Sequence, residues 1–199
     1  MKNYVSRREN IRITAIEIIF QEGFQALSVS NIAKKEGIAP SLLYKYYGGM
    51  DELFKEIITE LGKFDARIFQ SIKTSDGQAK EKLKKFVQTL GEYYQNYPEI
   101  TPLLNSYEFF RSVPKLEEEI FSLLSKQKQY LKDFIGEGVK NQEFSPGIDP
   151  DIYSTILAGA LRQEVLQWQI RLQKGGIKEA ALKTNLLGIT EKIISAMEN

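Results

Sequence analysis

The stretch Ser28-Val29-Ser30-Asn31-Ile32-Ala33-Lys34-Lys35-Glu36-Gly37-Ile38-Ala39-Pro40-Ser41-Leu42-Leu43-Tyr44-Lys45-Tyr46-Tyr47 decides the fold of this chain. Ser28 can cap the free N–H groups of a short helix, and Gly37 can end it. Pro40 reopens a helix at once, because proline at the first helical position loses no hydrogen bond and brings its φ preset. Two helices are thus joined by a very short turn. Ile32, Ile38 and Leu43 fall where apolar side chains meet beneath such a pair, with Tyr47 one turn beyond Leu43. Ala33 is small where the helices approach most closely, and Gly37 stands where the turn favours positive φ. These are the requirements of a helix-turn-helix. A plain helical hairpin satisfies several of them too.

If Leu43 and Tyr47 face inward at i and i+4, then Pro40, Ser41, Leu42, Tyr44 and Lys45 lie on or beside the opposite face. The first residues of a recognition helix reach base edges, so Leu42 suits a thymine methyl and Ser41 a base or a phosphate. Tyr44, Lys45 and Tyr46 suit phosphates, which fix register without reading sequence. Packing within the protein is the competing reading for these three, most of all for Tyr46.

The rest of the chain reads as helix, with apolar residues spaced by three and four and no sustained alternation. Ile11, Ala15, Ile18 and Ile19 line one face of a helix that Gly23 terminates in the left-handed region, and Phe20 and Phe24 pack beside it. From Asp51 the run Leu53, Ile57, Ile58, Leu61, Phe64, Ile68 sustains a long helix to about Ile72. Further helices are expected at Ala79–Asn96, Pro102–Arg111, Lys115–Lys140, Asp151–Lys174 and Ile177–Met197, with Ser145-Pro146-Gly147 and Gly175-Gly176 as the clearest breaks.

Composition bounds the function. Of 199 residues, 42% are hydrophobic and 27% charged, as in ordinary globular proteins, and the length suits one small module attached to a larger one. With no cysteine, neither a disulfide nor a thiolate metal site can form, and with no histidine the usual general base and the commonest neutral metal ligand are missing. No enzyme activity, no catalytic residue, no metal and no cofactor are expected. Met1 to Asn10 lack the apolar core of a secretory signal, and nothing approaches the roughly 20 apolar residues of a membrane span, so the cytoplasm is the expected location, with no membrane partner. Net charge is +1, but up to Tyr47 seven basic residues face four acidic ones, leaving the remainder at −2. A basic end on an acidic chain is a weak footprint of a nucleic-acid partner.

The run Ile11, Ala15, Phe20, Gly23-Phe24, Val29, Ile32-Ala33, Gly37-Ile38, Leu43-Tyr44, Tyr46-Tyr47 and Leu53 resembles the N-terminal DNA-binding domain of TetR-family repressors. It covers about the first quarter of the chain; the likeness beyond it rests on the length and order of the helices. The resemblance implies an all-α fold: a three-helix helix-turn-helix DNA-binding domain, residues 1-50, joined by a long helix to a helical regulatory and dimerisation domain, residues 51-199. It implies a first helix that buttresses the motif, Tyr44 and Tyr46 at phosphates, and Ser30, Pro40, Ser41, Leu42 and Lys45 near bases; Ser28 completes the candidate DNA-binding set. Two positions depart from the family. Met50 stands where a phosphate-binding lysine is usual, and Ala39 where a serine cap is common. Both predict weaker DNA binding, although the N–H groups at the start of the fourth helix could still receive a phosphate.

The central helices are rich in aromatics at helical spacing, including Tyr94, Tyr97, Phe109 and Phe121, most of them core. In this family such helices enclose an effector cavity, and the candidates for it are Phe64, Phe86, Leu90, Tyr93, Leu104, Tyr107, Phe110, Tyr130, Phe134 and Arg162. Arg162 could pair with an acidic ligand group, with a salt bridge near Glu164 or a dimer contact as the competing reading. Glu117-Glu118-Glu119 reads as a solvated face. Ile156, Gly159, Ala160, Trp168, Leu186, Ile189 and Ile193 on the last two helices are the candidate dimer interface, four helices about a two-fold axis. Dimerisation would set two recognition helices about 34 Å apart on a near-palindromic operator. The expected partners are therefore double-stranded DNA, a second copy of the chain, and a small hydrophobic or amphipathic effector that relieves repression. A DNA-binding protein without such an effector, constitutive or governed by a protein partner, is the other reading.

Overall fold

The computed structural model describes residues 6–105, 116–175 and 182–198, and among them every regular element is helical. The helices are α1 (Arg7–Glu22), α2 (Val29–Glu36), α3 (Pro40–Tyr46), α4 (Met50–Lys73), α5 (Ala79–Asn96), α6 (Thr101–Leu104), α7 (Glu117–Lys140), α8 (Pro150–Gln173) and α9 (Leu182–Glu198), with 3-10 turns at Phe24–Ala26 and Pro98–Ile100. Of the helices expected at Pro102–Arg111 and from Ile177, the parts beyond Asn105 and before Leu182 lie outside the described residues.

The chain divides into two compact units, Met1–Leu61 with Ser106–Phe121, and Gly62–Asn105 with Ser122–Asn199. In the first, α1 begins at Arg7 rather than near Ile11, because the Ser6 hydroxyl accepts from the Glu9 N–H at 3.2 Å and caps the first turn. Gly23 ends α1 at φ 84, ψ 169, in the mirror image of the extended region rather than the left-handed helical one, a conformation open essentially to glycine. Ser28 caps α2 by accepting from the Asn31 N–H at 3.1 Å, and Gly37 closes it in the left-handed conformation. Ile11, Ala15, Ile18 and Ile19 of α1 are buried, as are Ile32, Ala33, Leu43 and Tyr47. Leu53, Phe54, Ile57, Ile58 and Leu61 of α4 are buried as well.

In the second unit α9 packs against α5 and α8, and α6 packs against α8. At Gly91 a Cβ would stand 2.9 Å from the Cα of Lys183, so only glycine admits this approach of α5 and α9. The start of α5 has no cap of its own. Glu143, after α7, supplies one: its carboxylate accepts from the N–H groups of Ala79 and Lys80 at 2.9 and 3.0 Å. Asp149 caps α8 by accepting from Asp151 and Ile152, with Pro150 opening the helix.

Candidate functional site

Burial sorts α3 as its spacing requires. Leu43 and the capping residue Tyr47 are buried, while Pro40, Ser41 and Lys45 are exposed and Tyr44 is 57% exposed. Ser30 at the start of α2 is also exposed, whereas Leu42 and Tyr46 are half-buried. Ser28 is half-buried too, with its hydroxyl oxygen engaged as the α2 cap. Ala39 offers α3 no side-chain cap, as its residue type dictates.

Two polar clusters, neither singled out by sequence periodicity, hold this pair of helices in place. Arg8 donates to the Tyr46 carbonyl, to Glu52 at 2.9 Å and to Glu56 at 2.7 Å, and its guanidinium lies 4.3 Å from the centre of the Tyr47 ring. The Tyr47 hydroxyl sits 2.9 Å from the Arg8 carbonyl and 3.0 Å from Glu56, with one proton to donate between them. Burial, then the Glu56 hydrogen bond, holds the Tyr47 phenol well above its ordinary range, and hydrogen bonds to Glu56 and Glu52 hold Arg8 firmly protonated. The second cluster is centred on Glu36 at the end of α2, which accepts from Thr14 and pairs with Arg7 at 3.5 Å. Thus α1 fixes α2 through Glu36, and the end of α3 through Arg8.

The approach to α4 carries a carboxylate of its own. The Gly48 N–H donates to Glu52 Oε2 at 2.7 Å, in the manner of a capping box. That bond first, and the Arg8 bond second, hold the Glu52 carboxyl below its ordinary value. The Glu52 carboxylate is thus held next to the Met50 departure at the start of α4. The basic surplus of the sequence is also largely consumed within the unit: Arg7, Arg8 and Arg12 pair with Glu36, Glu52, Glu56 and Glu9, and Lys35 pairs with Glu22. Lys34 and Lys45 make no ion pair among the described residues, and Lys45 lies on the exposed side of α3.

The aromatic pocket candidates of the second unit that are described meet in two groups of rings. Phe64 stacks on Tyr93 with ring centres 3.6 Å apart, and Phe69 stacks on Tyr130 at 4.2 Å while meeting Phe134 and Phe86 edge-on. Phe86, Phe134 and Leu104 are buried and Leu90 is half-buried. Tyr107 and Phe110 lie outside the described residues. Arg162 is exposed rather than interior and makes no ion pair among the described residues, although its charge reaches the buried phenol of Tyr94. Glu164 pairs instead with Arg171 and accepts from Asn185, both at 2.8 Å. Glu117 and Glu118 are exposed, and Glu119 pairs with Lys55.

Sequence reading missed Asp65, Phe69 and Gln127 in this interior. Asp65 lies on the buried stripe Ile58, Leu61, Asp65, Phe69, Ile72, and a charge on that spacing was the signal available. Its carboxylate accepts from Gln127 at 2.6 Å, and burial pushes its pKa up to about 6, against the Gln127 hydrogen bond that lowers it. Asp65 Oδ1, Asn105 Nδ2 and Gln169 Oε1 are buried with no hydrogen-bond partner among the described residues.

The candidate dimer residues divide. Trp168 and Leu186 are buried inside the protomer, at 4% and 2% exposure, because α9 packs on α8. Ile156 is 51% exposed, Gly159 is exposed with open space around it, and Ala160, Ile189 and Ile193 are half-buried. Helix α8 is apolar on both sides, with Leu157, Val165 and Trp168 turned inward and Ile152, Ile156 and Ile170 exposed. No helix among the described residues is long and apolar enough to cross a membrane.

Residues 11–57 match the pattern of the bacterial regulatory proteins, tetR family. The chain is 27% identical over 191 residues to the fatty acid metabolism regulator protein of Bacillus subtilis (strain 168), across 93% of this chain and 92% of that protein. The fatty acid degradation regulator FadR from Bacillus halodurans has the same fold, with a TM-score of 0.81 at 18% identity over 100% of both chains. So does FadR from Bacillus subtilis in complex with stearoyl-CoA, with a TM-score of 0.73 at 21% identity over 96% of this chain and 97% of that one.

Proposed function

We propose that this chain, whose residues 11–57 match the tetR family of bacterial regulatory proteins, is a sequence-specific DNA-binding repressor, released from its operator by a long-chain acyl compound. The observation that carries the DNA-binding half is α3 itself: Pro40, Ser41, Tyr44 and Lys45 stand exposed opposite a buried Leu43 and Tyr47. Lys45 and Tyr44 grip phosphates, while Ser30, Ser41 and Leu42 approach bases, with Ser28 and Tyr46 beside them. Residues 1-50 form the DNA-binding domain and residues 51-199 the regulatory one. Few of these side chains are bidentate base readers, so DNA shape and the spacing of half-sites supply part of the specificity.

The effector half draws support from the relatives' names and from Asp65, a carboxylate buried near aromatic side chains with one oxygen that has no partner among the described residues. The exposed isoleucines of α8, with Gly159 and part of α9, pair two protomers about a two-fold axis. An effector acts here by binding one arrangement of α4, which is common to both units, better than another; such couplings are typically about 1 to 3 kcal/mol. The protein acts in the cytoplasm, without catalysis.

Titration of near-palindromic DNA flanking the gene, at several salt concentrations and with and without stearoyl-CoA, tests this reading. Tyr44→Ala and Lys45→Ala are each expected to weaken binding roughly tenfold, the scale of a lost hydrogen bond to a charged group. Lys45→Ala should also lower the salt slope by about two, one per half-site. Unchanged affinity in both variants removes this face from the DNA.

A further inference from the structure

We propose that Asp65 is the polar anchor of the effector pocket and selects an elongated apolar ligand that presents a hydrogen-bond donor, such as an amide N–H, a hydroxyl or an ammonium group, over one that presents a carboxylate. The inference rests on the reading of this chain as a ligand-responsive regulator and deepens it by naming the class of effector.

Asp65 is 1% exposed, on the face of α4 that otherwise carries Leu61, Phe69 and Ile72 into the core. An apolar residue would pack there without desolvating a charge, so stability does not account for the carboxylate. Gln127 gives one hydrogen bond to Oδ2, and Oδ1 is buried with no partner among the described residues. A carboxylate has about four lone-pair sites, so most of its accepting capacity is unused. Among the described residues no cation pairs with it: Lys73 is held by Asp133, and the Arg162 charge is registered at Tyr94. The Asp65 charge itself acts on the Tyr94 and Tyr130 phenols, which places it among rings from α4, α5 and α7.

An unfilled acceptor within aromatic walls recognises a donor on an apolar body. A neutral amide or hydroxyl satisfies Oδ1 directly, and an ammonium group gains the faces of the rings as well. A ligand carboxylate in the same place sets two like charges together in a poorly solvated site and is rejected. Acyl-CoA carries amide N–H and hydroxyl groups beside its acyl chain and has a thioester in place of the free acid. It meets this requirement, and the corresponding fatty acid does not.

Thermal shift and release of operator DNA, measured on the full chain at pH 8, distinguish the cases with stearoyl-CoA, stearamide, octadecylamine, octadecanol and stearate as probes. The unsubstituted protein is expected to respond to at least one donor-bearing probe at a concentration at least tenfold below that needed for stearate. A response to stearoyl-CoA alone places the donor in the CoA arm, and a stronger one to the amine marks a cationic ligand. Asp65→Leu is expected to remove the preference, and Asp65→Asn to reduce the response to the amine more than the response to the amide. The second variant retains the test if the first fails to fold. Equal responses to stearate and the donors, or an unchanged ranking in the Asp65 variants, overturn the role of Asp65 while leaving the regulator ligand-responsive. If no probe shifts the melting temperature or releases DNA, the effector reading fails, and this inference with it.

Discussion

At neutral pH the Asp65 carboxyl is largely ionised inside an aromatic core, although burial raises its pKa from 3.8 to about 6. The folded state thus binds the proton more tightly than the unfolded chain, so this group's contribution to stability is fullest below the unfolded value and is lost as pH rises through about 6. A shift of roughly two units corresponds to about 3 kcal/mol. Asp65→Asn is expected to raise the unfolding free energy at pH 8 by up to about that amount, with the gain shrinking toward pH 4, as denaturant titrations at both pH values would read. Glu52 makes the opposite kind of prediction, on DNA rather than on stability. Its carboxylate accepts from the Gly48 N–H just before α4. Glu52→Gln keeps an acceptor there and removes the charge, so operator affinity should rise several-fold at low salt, with a steeper salt dependence. At this scale the sequence was only partly legible: the apolar spacing placed the start of α1 near Ile11, whereas the Ser6 hydroxyl caps the helix one turn earlier through the Glu9 N–H. Nothing in the spacing of Arg8 announces its bonds to Glu52 and Glu56, more than forty residues away.

Helices were legible to within a few residues wherever their ends carry local chemistry. Gly37, Pro40 and Pro150 stop or start their helices as glycine and proline dictate. The start of α5 was legible from the break before it, but its cap was not, because Glu143 arrives from 64 positions away in the chain. Gly91 was equally silent. A glycine inside a helix ordinarily weakens it by about 1 kcal/mol relative to alanine, and its use here shows only when α9 is seen to lie against it. Gly91→Val would set a side chain 2.9 Å from the Lys183 Cα and 3.3 Å from Leu186. Overpacking of this kind costs about 1 to 3 kcal/mol, so thermal unfolding should shift down by several degrees, with the exposed side of α3 untouched. A melting temperature equal to that of the unsubstituted protein would mean that α5 and α9 do not approach as described.

For the whole molecule, the proposed dimer surface is the outer side of α8, where Ile156 is exposed. If that face pairs two protomers, Ile156→Glu places a charge in the interface twice per dimer. Light scattering after gel filtration should find a monomer at concentrations where the unsubstituted chain is dimeric, with a shift in the dissociation constant of about a hundredfold or more. A dimer of unchanged affinity would turn attention from α8 to another face. Taken alone, the sequence determined the all-helical class, the order of the helices, and which sides of α2 and α3 face in and out. These follow from the 3.6-residue period and from caps and turns, interactions that act within a turn or two of the residue that makes them. Only the tertiary structure decided that Trp168 and Leu186 lie inside the protomer, that the basic N-terminal residues are mostly neutralised by neighbours, and that Asp65 sits unsatisfied among aromatic rings. In each case the deciding partner comes from another helix. Which helices pack together is a property of the folded chain that no local spacing records.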